Sequence, residues 1–136
     1  MGKTYWYECE RCGYRAKVSG GPDRGINVWV QTIVCRECKQ LYDAVTRMKV
    51  SDPLTPLRLH PWQPLGSHQS RTRPPAFSQV LQRLPTPAAS RWRWLSYRLQ
   101  CPVSAVHKVE AWNEPGRCPR CRLHIEKNVL PFRIWD

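Results

Sequence analysis

Cys9-Glu-Arg-Cys12 and Cys35-Arg-Glu-Cys38 are two Cys-x-x-Cys pairs separated by 22 residues. No other feature constrains the chain as strongly, because two intervening residues let a tight turn aim both sulfurs at one point. With a zinc–thiolate bond of about 2.3 Å, one such turn supplies half a tetrahedron. A second turn, brought in by an antiparallel return, supplies the rest. The spacing predicts Cys9, Cys12, Cys35 and Cys38 as ligands of one structural Zn2+ site, whose four thiolates leave no position for substrate. Gly13 follows the first pair, where the turn often needs a residue without Cβ, while Lys39 holds the equivalent place after the second. Reduced core thiols or disulfides are the alternative, and they explain two matched spacings less well.

A second site is incomplete in the sequence. Cys118-Pro-Arg-Cys121 is a third pair, but Cys101-Pro-Val-Ser104 has serine where a second cysteine belongs. A hydroxyl that is not ionised near neutral pH is a poor zinc ligand. His107 would complete a shell with the three thiols of Cys101, Cys118 and Cys121, and is the favoured fourth ligand. His124 or a water are the other candidates, and a decayed site is the remaining alternative. An open zinc would suit hydrolysis, yet no carboxylate base stands in a recognisable motif.

The chain divides by composition into three segments. Residues 1–50 are expected to form an antiparallel ribbon, with strands near 4–8, 15–18 and 41–50 and a further strand where Ile26, Val28 and Val30 alternate with polar or aromatic neighbours. Residues 51–90 hold eight of the 13 prolines, and between 51 and 100 Asp52 is the one acid against seven arginines. That composition predicts an extended or disordered linker, with a short transient helix where Phe77, Val80, Leu81 and Leu84 fall at helical spacing. Residues 91–136 are expected to form a second, degenerate module, with strands leading to Cys101 and across Val106 to Trp112. The expected fold class is therefore small β: two antiparallel metal-bound modules joined by a Pro/Arg-rich linker. Modules this small bury little surface, and a bound metal is a usual remedy.

The run Tyr7-Glu-Cys9-Glu-Arg-Cys12-Gly13-Tyr14, with Cys35 and Cys38, resembles the zinc-ribbon and rubredoxin-like metal-binding proteins. The stretch from Trp112 to Cys121 looks like a second half of the same kind. The resemblance covers about residues 4–50 and 98–126, and it implies Cys9, Cys12, Cys35 and Cys38 as ligands. Lys39, Arg122 and Ser104 depart from the pattern. The likeness speaks to metal and fold and is shared by proteins of many functions.

Charge and cysteine usage bound the partner. The formal net charge is +12, which two filled sites would lower to about +9. A phosphate-rich partner suits such a balance. Seven cysteines without a signal peptide suggest a reducing, cytoplasmic setting, and no apolar run reaches a membrane span. The favoured function is a non-enzymatic, nucleic-acid-associated binding module, with Trp92 and Trp94 stacking on bases and Arg91, Arg93 and Arg98 contacting phosphate. Against this, alternating tryptophans on a strand are often a packed face. A protein-interaction adaptor with a polyproline tether is the first alternative. A rubredoxin-like electron-transfer protein with iron in the first site is the second.

Overall fold

The computed structural model of the protein describes residues 1–51, 68–69, 73–82 and 92–136. Among the described residues nine strands and one helix run in the order β1 (Gly2–Glu8), β2 (Arg15–Val18), β3 (Pro22–Arg24), β4 (Val28–Cys35), β5 (Gln40–Ser51), β6 (His68–Gln69), α1 (Phe77–Gln82), β7 (Trp92–Ser96), β8 (Val109–Ala111) and β9 (Glu126–Trp135). They form a three-stranded antiparallel sheet, β2-β1-β9, and a six-stranded sheet in which β3-β4-β5-β7-β6 lie side by side and β8 adds to the end of β4. The small, antiparallel β class expected from the sequence is the observed one. The prolines from Pro53 to Pro64, with Pro85 and Pro87, lie outside the described residues.

The segments expected as separate ribbons share both sheets. β9 returns antiparallel to β1, pairing Gly2 with Trp135 and Glu8 with Glu126. β8 pairs with β4, and β7 runs along β5 from Arg47–Ser96 to Ser51–Trp92. The sequence reading contains no strand at β9, which includes Pro131. Proline donates no ladder hydrogen bond and sits in strands at edges or irregularities. Here it falls opposite Tyr5, where the β1–β9 register shifts. β3 is a second unforeseen strand, lying inside the glycine-containing stretch from Ser19 to Gly25.

Two apolar clusters follow from strand alternation. In β4, Val28, Val30 and Thr32 are buried on one face while Trp29 and Gln31 remain partly exposed on the other. Ile26, expected in this strand, precedes it and is exposed. One cluster gathers Tyr7, Tyr14, Ala16, Val18, Leu41, Trp112 and Ile125 around Cys9 and Cys118. The other gathers Val28, Val30, Val45 and Trp135, with Phe77, Val80 and Leu81 of α1 packed against it. The helical spacing in the sequence corresponds to α1, which packs against this cluster, while Leu84 lies outside the described residues. Trp135 seals this end: its ring meets Phe77 edge-on at 4.9 Å and its indole N–H donates to Thr4 Oγ1 at 3.2 Å. A Cβ at Gly2 would overlap that indole, so only glycine fits there.

A buried polar knot fixes the β2–β3 turn. Thr32 Oγ1 accepts from the amides of Gly20 and Gly21 and donates to Asp43 Oδ1 at 2.7 Å. Asp43 also accepts from the amide and hydroxyl of Ser19. Burial raises the Asp43 pKa and these hydrogen bonds oppose the rise.

Candidate metal centres

The two Cys-x-x-Cys turns at Cys9 and Cys118 have one backbone design. The amide of the residue after the pair returns to the first cysteine's carbonyl, Gly13 to Cys9 at 2.9 Å and Arg122 to Cys118 at 3.0 Å. One residue further, Tyr14 O and Leu123 O accept from the amides of Cys9 and Cys118, the same offset at which Cys35 pairs with Gln40. The geometry places Gly13, Lys39 and Arg122 in the left-handed region, at φ 73°, 52° and 61°. Lys39 and Arg122 thus adopt the conformation for which glycine is usual, at a steric cost of roughly 1–3 kcal/mol each. A metal held by the turn is one means of offsetting it.

The half-sites combine across the chain, not along it. Cys9 and Cys12 meet Cys118 and Cys121, while Cys35 and Cys38 meet Cys101 and His107. This corrects the expected grouping of Cys9, Cys12, Cys35 and Cys38 in one site and of Cys101, His107, Cys118 and Cys121 in the other. Sheet register is the reason. Glu8 opposite Glu126 sets the Cys118–Cys121 turn against the Cys9–Cys12 turn. Cys35 opposite Val109 sets His107, two residues before Val109, beside Cys35. The order is nested, with one centre enclosed in the loop that the other closes.

Both groups have the dimensions of a tetrahedral metal shell. A tetrahedron with 2.3 Å metal–sulfur arms has edges of about 3.8 Å, and slightly less from sulfur to nitrogen. In the outer group Cys9 Sγ lies 3.3 Å from Cys121 Sγ, and Cys12 Sγ lies 3.6 Å from Cys118 Sγ. In the inner group His107 Nδ1 lies 3.7, 3.3 and 3.6 Å from the sulfurs of Cys35, Cys38 and Cys101, and Cys38 is 3.7 Å from Cys101. All seven cysteines are unbridged. Each group could hold a metal ion.

Ser104 contributes backbone where it lacks a thiol. The amides of Val103 and Ser104 hydrogen-bond the Cys101 sulfur, so the turn keeps its sulfur-binding geometry. The Ser104 carbonyl then accepts from His107 N at 3.3 Å, which carries the histidine into the missing position. His124 is exposed and belongs to neither group. The sequence reading missed two supporting residues. Glu37, inside the second turn, reaches His107 Nε2 at 3.2 Å and so fixes the tautomer with Nδ1 free for a metal. The Tyr42 hydroxyl hydrogen-bonds the Cys38 sulfur.

The thiols differ in proton affinity. Backbone amide contact, chiefly from Cys12, lowers Cys9 to about 7. Burial opposes ionisation of Cys101, but the Ser104 and Val103 amides and His107 outweigh it and bring that thiol to about 7. Desolvation pushes Cys38 up to about 11 and Cys118 up to about 12.

The residues predicted to contact nucleic acid divide between two faces. Trp92 and Trp94 alternate on β7 on the same face as Trp29, with Trp29 and Trp94 ring centroids 5.8 Å apart. Arg93, between them, falls on the opposite face, because neighbouring strand residues point opposite ways. Arg98 lies exposed beyond the end of β7, and Arg91 lies outside the described residues. The cations that accompany the rings come from other strands. Arg24 and Arg47 lie over Trp29 at 5.6 and 5.0 Å, and Lys49 lies over Trp92 at 5.3 Å. Among the described residues no helix is long and apolar enough to cross a membrane.

No protein-family model, curated protein or solved structure matches this chain.

Proposed function

We propose that this protein is a zinc-stapled binding module that takes single-stranded nucleic acid on the outer face of its six-stranded sheet. Zinc suits both donor sets, since four cysteines, or three cysteines with one histidine, are its usual structural shells. A closed shell of either kind leaves no open position for catalysis. The observation that carries the nucleic-acid reading is the row of rings and cations on one face: Trp29, Trp94 and Trp92 interleaved with Arg24, Arg47 and Lys49. Unpaired bases stack on such rings at about 1–3 kcal/mol each, and the flanking cations meet phosphate. Trp29 and Trp94 retain exposed surface, as a stacking platform requires.

Fluorescence anisotropy with a labelled single-stranded oligonucleotide tests this. Binding should weaken steeply as salt rises. Trp29→Ala should reduce affinity about tenfold or more, while Arg93→Ala should change it little. A flat salt response, or equal losses from the two substitutions, would overturn the assignment.

A further inference from the structure

We propose that a separate site takes a nucleoside phosphate, free or at a strand end, in the cavity between β2 and the start of β5. The cavity measures about 420 Å3 and is lined by Trp6, Gly13, Arg15, Lys17, Gln40 and Arg120 among others. That volume lies within the range of small-molecule sites. Its residues are distinct from the tryptophan face of the six-stranded sheet, so it does not rest on that reading.

Three cations converge here from distant parts of the chain. Arg15 and Lys17 alternate along β2, whose partner Trp6 stands opposite Lys17 on β1. Arg120 belongs to the Cys118–Cys121 turn and arrives because the nested outer centre sets that turn against the first. No carboxylate lines the cavity. Glu8 reaches Arg15 at 3.6 Å, but both side chains are more than half exposed, and such a pair contributes little. Lys17 and Arg120 form no ion pair among the described residues.

The three cations rest on rings instead. Lys17 Nζ lies 4.5 Å from the Trp6 centroid and 4.1 Å from that of Phe132. Arg15 lies 5.2 Å from Trp6, and Arg120 4.8 Å from Tyr14. A ring holds a cation in place without neutralising it or taking all its N–H donors. A thiolate-bound zinc would add a formal −2 to the outer centre, and Arg11, Arg117 and Arg122 on the same two turns offset it. A concave site with three cations and no acid fits a phosphate monoester, which offers charge-assisted acceptors to all three. Trp6 lines the same cavity and keeps part of its surface exposed beside the cations it holds, so a base could meet its ring. An acidic peptide would also meet the charges, and it is therefore a comparison in the test.

Calorimetric titration of the zinc-loaded full chain with adenosine 5′-monophosphate is the test, with adenosine and tetraglutamate as comparisons. The monophosphate should bind at least tenfold tighter than either comparison. Lys17→Gln and Arg120→Gln should each weaken it about tenfold or more, the loss expected of a charged hydrogen bond, whereas Trp29→Ala should leave it unchanged. Metal content is measured on each variant. If Arg120→Gln loses metal, the exposed Lys17 decides the matter. An oligonucleotide with a 5′-phosphate that outcompetes its 5′-hydroxyl form, in a Lys17-dependent way, assigns the site to a strand end, and equal competition assigns it to free nucleotide. Failure of the monophosphate to bind, indifference to Lys17→Gln, or equal binding of tetraglutamate would overturn the proposal.

Discussion

Paired substitutions discriminate the nested arrangement of the centres from a sequential one. Cys12 is exposed and Cys38 and Cys121 are half-buried, so replacing them by alanine removes ligands with little loss of packing. In the nested arrangement Cys12→Ala with Cys121→Ala empties only the outer centre, and one zinc remains. Cys12→Ala with Cys38→Ala breaks both centres, and none remains. Elemental analysis with native mass reads the count directly. The nesting also fixes an energetic coupling. The outer centre closes a loop of 105 residues between Cys12 and Cys118, and the inner one closes 62 between Cys38 and Cys101. Once the inner centre has formed, the outer loop shortens to the 22 residues between Cys12 and Cys35 and the 10 between His107 and Cys118. Loop-closure entropy scales as (3/2)RT ln n, so this shortening favours the outer centre by about 1 kcal/mol, or about sixfold in affinity. His107→Ala should therefore weaken zinc at the distant outer centre by about that factor in chelator competition. Retention of one zinc by the Cys12/Cys38 pair and of none by the Cys12/Cys121 pair would refute the reasoning.

Two further outcomes follow from the inner and outer centres. Glu37→Ala removes the carboxylate that orients His107, and should weaken zinc at the inner centre about 10–100-fold while sparing the outer one; equal affinity in the variant would show that the 3.2 Å contact does not orient the ligand. Zinc affinity should also rise with pH. Cys38, near 11, and Cys118, near 12, hold protons at neutral pH that the metal must displace. Cys9 and Cys101, near 7, add a further proton each on the acid side. Each released proton makes affinity climb about tenfold per pH unit. Chelator competition at pH 6, 7 and 8 should therefore show at least that slope at both centres, and a pH-independent affinity would contradict these proton assignments.

What the sequence made legible was local, and what it hid was long-range. Cys-x-x-Cys spacing depends on one tight turn, so Cys9–Cys12, Cys35–Cys38 and Cys118–Cys121 could be read as half-sites, and Ser104 as a break in the fourth. Which half-sites join is a separate question, since four of them can pair in three ways. Only the register of β9 on β1 and of β8 on β4 decides it. That register was hidden because Pro131 disguises β9, and because β8 spans only three residues. The aromatic face followed the same rule. Period-2 alternation put Trp92 and Trp94 on one face, but it also sent Arg93 to the other, so the cations that lie over the rings are not the ones adjacent in sequence. The companions Arg24, Arg47 and Lys49 are cross-strand neighbours, visible only once β3, β4, β5 and β7 are aligned. Metal and surface are linked by this topology. The return of the C-terminal segment that completes the outer centre also carries Arg120 to Tyr14. Removing a metal from the outer centre should then open the β2 cavity by releasing Arg120, one of its three cations.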